Sequence, residues 1–285
     1  MIEYATDVAY IDYCSIIYML YKEGYVMDFL IKVVACFLAG AGAGIGTGFA
    51  GMSAAAVISP VLITFLDMDS YMAVGIALAS DVLASAVSAY TYGKNKNLDI
   101  KNGIIMMISV LCFTMVGSYV ASIVPRTTMG NFSVFMTFLL GVKFIVKPVV
   151  EPKQRLKSAT DKQKAIRSAL CGVMVGFICG FIGAGGGMMM LLVLTSVLGY
   201  ELKTAVGTSV FIMSATALTG SVSHFAIGGK PDMLALVVCI VSTLVFAQVA
   251  AYFANKAKPT TLNRITGAIL VILGLSIFAV KYFKG

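Results

Sequence analysis

The residues best equipped for chemistry in this chain are two glycine-rich runs, the hydroxyls beside them, one aspartate and one histidine. The runs are Gly42-Ala-Gly-Ile-Gly-Thr-Gly48-Phe-Ala-Gly51-Met-Ser53 and Gly176-Phe-Ile-Cys-Gly180-Phe-Ile-Gly183-Ala-Gly185-Gly186-Gly187. From 183 to 187 every position but one is glycine. Each glycine costs up to about 1 kcal/mol relative to alanine in a helix, so the helix is expected to unwind there and restart at about Met188. Inside a bilayer, unwound backbone must face a protein-enclosed cavity. A helix starting at such a cavity turns unpaired N–H groups and a positive dipole end towards it, which suits an anion. Gly183, Gly185, Gly186 and Gly187, with Gly51 of the first run, are therefore candidate binding residues. Thr47 and Ser53 flank the first break, and Thr208 and Ser209 follow the second. They join the candidates, with back-bonding to their own helix carbonyls as the alternative for each.

Asp81 lies near the middle of an apolar segment, where a carboxylate is costly enough to point to function. It could bind H+ or Na+ as a coupling ion, or make a structural hydrogen bond. His224, the only histidine, sits near the end of another apolar segment. It is a candidate substrate contact or pH-sensitive gate, or else an interfacial histidine satisfied by a backbone group.

Other chemistries find little support. Residues 46–51 match G-x-G-x-x-G, but no strand precedes them and no βαβ unit surrounds them, so a dinucleotide site is not expected. One histidine and one mid-segment aspartate do not assemble a His-based metal site or a catalytic triad. No Walker loop occurs, and none of the six cysteines forms Cys-x-x-Cys. The chain is expected to be neither an enzyme nor a holder of a cofactor or metal.

The elements that position these residues follow from composition. Of 285 residues, 59% are hydrophobic and 12% charged, too little charge to cover a soluble domain. The lipid bilayer is thus the first partner. The net charge of +8 lies in short stretches between apolar segments, as the positive-inside bias produces, so nucleic acid is not an expected partner. The start of the chain, with Glu3, Asp7 and Asp12, lacks the basic opening of a cleavable signal peptide. Residues 10–21 are expected as an interfacial amphipathic helix.

Apolar segments fall at about 33–50, 52–66, 72–92, 103–124 and 130–147, and again at 169–183, 184–198, 204–228, 233–254 and 264–283. The two fives are related. Offset by 132 positions (207 − 75 = 132), the stretches 44–75 and 176–207 align without gaps and are identical at ten positions. These include Gly44/Gly176, Gly48/Gly180, Gly51/Gly183 and Ala73-Val-Gly75/Ala205-Val-Gly207. Such an internal duplication is the usual construction of secondary transporters. The expected division is an N-terminal interfacial segment at 1–28, repeat 1 at 29–148, a basic cytoplasmic linker at 149–166 and repeat 2 at 167–285.

Charge orients the repeats. With the linker in the cytoplasm, five crossings per repeat also place Lys94, Lys96, Lys101, Lys256, Lys258 and Arg264 inside. Four crossings move the last three outside, against the bias. The expected fold is an all-α polytopic membrane protein of two inverted repeats, each with about five transmembrane or half-spanning helices. The short Gly-broken helices lie near the midplane and both termini lie outside.

The run Gly176-x-x-x-Gly180-x-x-Gly183-x-Gly185-Gly186-Gly187, followed by Ala205-Val-Gly-Thr-Ser209, resembles the second-repeat signature of the sulfite exporter TauE/SafE family. His224 followed by Gly228 is similar to the family pattern as well. The resemblance implies secondary transport of sulfite, thiosulfate or organosulfonates such as sulfoacetate, across a bacterial or archaeal cell membrane. It raises Thr208 and Ser209 among the candidates. Repeat 1 departs from the pattern: Ser53-Ala54-Ala55 stands where the glycine triplet would recur, and Gly75-Ile76-Ala77 where Gly-Thr-Ser would. The halves are thus expected to contribute unequally. A transporter of small carboxylates or inorganic anions on the same scaffold is the alternative. The sequence leaves oligomeric state open, a homo-oligomer included.

Overall fold

The computed structural model of the chain describes residues 2–122, 160–182, 186–228 and 230–284, with positions 142, 145 and 146 between them. Its helices are α1 (Ile2–Ala50), α2 (Ala55–Leu66), α3 (Ser70–Lys94), α4 (Ile100–Ser122), α5 (Asp161–Ile182), α6 (Gly186–Leu192), α7 (Leu202–Gly228), α8 (Met233–Lys256) and α9 (Pro259–Lys284). A π-helical turn, Val193–Leu198, continues α6. No strand occurs among the described residues. The apolar segment at 130–147, apart from positions 142, 145 and 146, and residues 149–159 of the linker lie outside them. Residues 10–21 are helical but continuous with the first span, in one helix from Ile2 to Ala50.

Among the described residues, four stretches are long and apolar enough to cross a membrane: Val26–Ala50, Met72–Lys94, Leu202–Ala226 and Met233–Lys256. Their surfaces fit a lipid solvent. Val237, Val241, Val245 and Val249, one turn apart on α8, are each about half exposed. The interior of the same helix is Ala247, Ala250, Ala251 and Ala254. Large residues thus face outwards and small ones inwards, because lipid gives apolar side chains no reason to hide and helices gain by close backbone approach.

Glycines set those approaches. A methyl placed on Gly44 of α1 would lie 2.5 Å from the carbonyl oxygen of Thr243 and 2.9 Å from Cβ of Phe246, both on α8. On Gly176 of α5 it would lie 2.5 Å from the carbonyl oxygen of Val110 and 3.1 Å from Cβ of Phe113, both on α4. The first helix of each half therefore packs on the fourth helix of the other. Position 176 is 132 beyond position 44, while 243 is 133 beyond 110, the stretch between the paired positions being one residue longer in the second half. Both fourth helices start the same way: Asp99 accepts the amide of Asn102 at 3.1 Å, and Asp232 accepts that of Ala235 at 3.0 Å. These are aspartate N-caps.

Helices α3 and α7 run antiparallel through the centre. Gly75 meets His224, Leu78 meets Gly220, and Tyr92 meets Gly207. The end contacts are reciprocal, since Gly207 is Gly75 plus 132 and His224 is Tyr92 plus 132. Helix α2 folds back along α1, bringing Phe65, Leu66 and Met68 to a cavity of about 450 Å³ shared with Asp28, Lys32 and Asp232. At a rise of about 1.5 Å per residue, the break before α2 lies roughly 18 Å from that end. Asp67 ends α2 with a left-handed backbone (φ 47°), and Gly199 ends the π turn the same way (φ 79°). Tyr200, just beyond, donates to Asp99 at 2.7 Å at the opposite end of α3. The helix after each break thus returns towards the end from which its partner started, α2 to one end of the bundle and α6 to the other.

Candidate functional site

The first break is a short interruption between α1 and α2. Gly51 has φ +59°, a left-handed backbone that strains any residue with a side chain. The Gly51 amide still donates to the Thr47 carbonyl at 2.9 Å, and the Thr47 hydroxyl donates to the carbonyl of Met52 at 2.9 Å. Thr47 therefore satisfies backbone that the interruption would leave unpaired. Beyond it, the Ser53 hydroxyl accepts the amide of Ala55 at 3.3 Å and donates to Asp81 at 2.7 Å.

Asp81 is fully buried, and both of its carboxylate oxygens accept a serine hydroxyl, one of them from the break. One accepts Ser53 and the other accepts Ser85, a turn further along α3, at 2.7 Å. Among the described residues Asp81 has no basic partner. The lysines that end the spans stand at their margins, so the carboxyl group beside the break is met by hydrogen bonds alone.

The second break comes to the same place. Gly183 and Gly185 lie outside the described residues, and the helix restarts at Gly186, slightly before the expected Met188. A methyl placed on Gly187 would lie 2.6 Å from the backbone nitrogen of Ser53 and 2.8 Å from the sulfur of Met213. The two breaks therefore touch. Ser209 ties the junction from α7: its hydroxyl donates to the Gly51 carbonyl at 2.8 Å, and Met213 Sδ lies 3.7 Å from the same hydroxyl oxygen. A methyl placed on Gly51 would meet Cβ of Ser209 at 3.3 Å. Gly51, Ser53, Asp81, Gly187, Ser209 and Met213 thus form one closed group built from both halves.

Two sequence candidates sit apart from it. Thr208, next to Ser209 on α7, projects instead to the start of α4 and accepts the amide of Asp99 at 3.2 Å. His224 lies about 22 Å further along the same helix than Ser209. Its Nδ1 faces the Gly220 carbonyl oxygen at 2.9 Å and its Cβ packs against Gly75. Met213 is not among the sequence candidates, although one signal marks it: it holds the position in repeat 2 that Asp81 holds in repeat 1 (213 − 81 = 132). Tyr92 is not among them either. It donates to the carbonyl of Gly48 at 2.8 Å, supporting the last turn of α1 before the break.

Among the described residues no group of His, Cys, Asp and Glu could hold a metal ion. The junction offers amides, hydroxyls, one carboxylate and one thioether, buried between apolar helices. A helical bundle whose polar centre is made by two helix breaks is the construction of a membrane transporter.

The relatives agree. Residues 36–277 match the family model for sulfite exporter TauE/SafE, and the chain belongs to that family. It is 26% identical over 264 residues to the probable membrane transporter protein YunE of Bacillus subtilis, covering 87% of this chain and 96% of that one. It is 24% identical over 266 residues to the probable membrane transporter protein MJ0441 of Methanocaldococcus jannaschii, covering 87% and 96%. The protein is a membrane transporter, with relatives in bacteria and archaea.

Proposed function

We propose that the chain is a secondary transporter of small sulfur-containing anions (sulfite, thiosulfate or organosulfonates such as sulfoacetate), working by alternating access around the junction of its two breaks. The observation that carries this reading is the contact of Gly187 with the Ser53 amide. It puts the starts of α2 and α6, one from each half, at one buried point. Both helices turn the positive ends of their dipoles there. A sulfonate or sulfite presents oxygen acceptors and no donor, which suits amides and hydroxyls in the absence of an arginine.

The antiparallel, reciprocal contacts of α3 and α7 support inverted repeats. A two-fold axis that exchanges antiparallel helices must lie across them, in the plane of the membrane. The exchanged packing of α1 on α8 and α5 on α4 obeys the same relation. Repeats so related can swap conformations and expose one site alternately to each side.

Asp81 is the candidate coupling residue. A bound anion beside a buried carboxylate is repelled at low local dielectric unless a cation arrives with it. H+ or Na+ at Asp81 removes that repulsion, so anion and cation favour each other's binding.

Uptake into proteoliposomes tests the reading. Saturable accumulation of sulfite, thiosulfate or sulfoacetate, driven by a proton or sodium gradient, is expected. Accumulation of acetate but none of the sulfur anions would assign the scaffold to carboxylates. Flux linear in concentration and indifferent to gradients would make it a channel.

A further inference from the structure

The two sides of the junction are chemically unequal. Asp81 on α3 and Met213 on α7 occupy equivalent positions in the two halves (213 − 81 = 132). The α3 side carries the carboxylate with Ser53 and Ser85 bonded to it. The α7 side carries the thioether, only 5% exposed, its sulfur 2.8 Å from where a methyl on Gly187 would stand. The neighbouring Ser209 hydroxyl donates to the carbonyl of Gly51. A thioether donates no hydrogen bond and is soft and polarisable.

We propose that Met213 determines the specificity of this site, admitting anions with an oxygen face and one soft or apolar pole, and rejecting anions that carry oxygen on every side. The inference rests on the reading of the junction as an anion site. Sulfate shows its difficulty. Its four oxygens are equivalent, so whatever way it enters, one oxygen is turned towards the thioether and loses its water without gaining a donor. Thiosulfate has the same charge and nearly the same shape, with one oxygen replaced by sulfur. That sulfur can lie against Met213 while three oxygens face the amides and hydroxyls. The carbon of an organosulfonate and the lone-pair side of pyramidal sulfite are accommodated in the same way.

The test compares thiosulfate with sulfate, so that charge is held constant. Uptake of each radiolabelled anion is measured in proteoliposomes carrying wild type, Met213→Leu or Met213→Gln. Leucine keeps the wall apolar; glutamine adds an amide donor. Wild type and Met213→Leu should prefer thiosulfate in kcat/KM. Met213→Gln should lose the preference by about tenfold or more, chiefly through a lower KM for sulfate, because a donor at the wall pairs the oxygen that was left bare. Met213→Thr serves the same purpose if the glutamine variant does not fold. A preference unchanged in the donor variants overturns the role of Met213 while leaving the transport reading intact. Wild type that takes up neither thiosulfate nor sulfate overturns the selection assigned to Met213; if the same vesicles also fail to take up sulfite and sulfoacetate, the transport reading falls with it.

Discussion

The backbone nitrogen of Ser53 and the α-carbon of Gly187 touch, so closely that a methyl on Gly187 would stand 2.6 Å from that nitrogen. The two belong to different repeats and are brought together only by the fold. The contact is backbone against backbone, which no rotamer change can relieve. Gly187→Val should therefore force the breaks apart at a typical cost of about 1–3 kcal/mol. Transport is expected to fall more than tenfold while the protein still purifies as a monodisperse species with a modestly lowered Tm. Wild-type uptake by this variant would remove the junction from the transport pathway.

Asp81→Asn keeps the size of the side chain and removes its charge. If the carboxylate answers a coupling cation, the variant should lose dependence on the proton or sodium gradient, or transport slowly, while still binding substrate in a thermal-shift assay. Ser85→Ala, which strips one donor from the same carboxylate, should retain coupling with altered cation affinity. Gradient dependence and rate both unchanged in Asp81→Asn would make the residue structural.

Gly44 and Gly176 hold equivalent crossings, each placing a methyl 2.5 Å from a carbonyl oxygen of the opposite half. Substituting either by valine should destabilise the bundle by a similar amount, about 1–3 kcal/mol, read as comparable drops in Tm. Because the crossings share no partner, the double variant should show near-additive loss. A large effect at one site and none at the other would contradict the paired packing.

Lys32 and Asp232 form an ion pair at the end where α2 returns. Burial pushes the Asp232 carboxyl up, but the hydrogen bond from Lys32 and the amide of Ala235 outweigh it and hold the group below its ordinary range. A lowered folded-state value stabilises above the unfolded carboxylate pKa of about 3.9 and is lost as pH falls through the folded value. Both partners are partly exposed, so the pair contributes at most about 1 kcal/mol. Tm should be unaffected by this pair from pH 5 to 8. Wild type and Lys32→Met should differ there by a small constant amount, and the difference should shrink below about pH 4. A difference that grows on acidification would contradict this account.

Much of the architecture is legible in the chain itself. Apolar length marks the spans, and the gapless register of 44–75 with 176–207 marks the duplication. Clustered glycines mark the breaks, because glycine's poor helix propensity acts locally whatever surrounds it. Gly51, Ser53, Gly187 and Ser209, candidates on sequence alone, do meet at the junction of the breaks. Thr208 and His224 carry similar local signals and stand elsewhere, since adjacency to a break in sequence does not fix the direction in which a side chain leaves a helix.

Partnership is settled only when the helices meet. That α1 packs on α8 and α5 on α4, that Asp81 answers Ser53, and that Met213 faces Gly187 are contacts between stretches far apart in the chain. The physical reason lies in the solvent. In water, a helix shows in its pattern which face is buried, because polar and apolar residues segregate. In lipid, a helix such as α8 is apolar all round, and the choice of inward face rests on side-chain volume and backbone approach. Those are properties of two surfaces meeting, and neither surface states them alone.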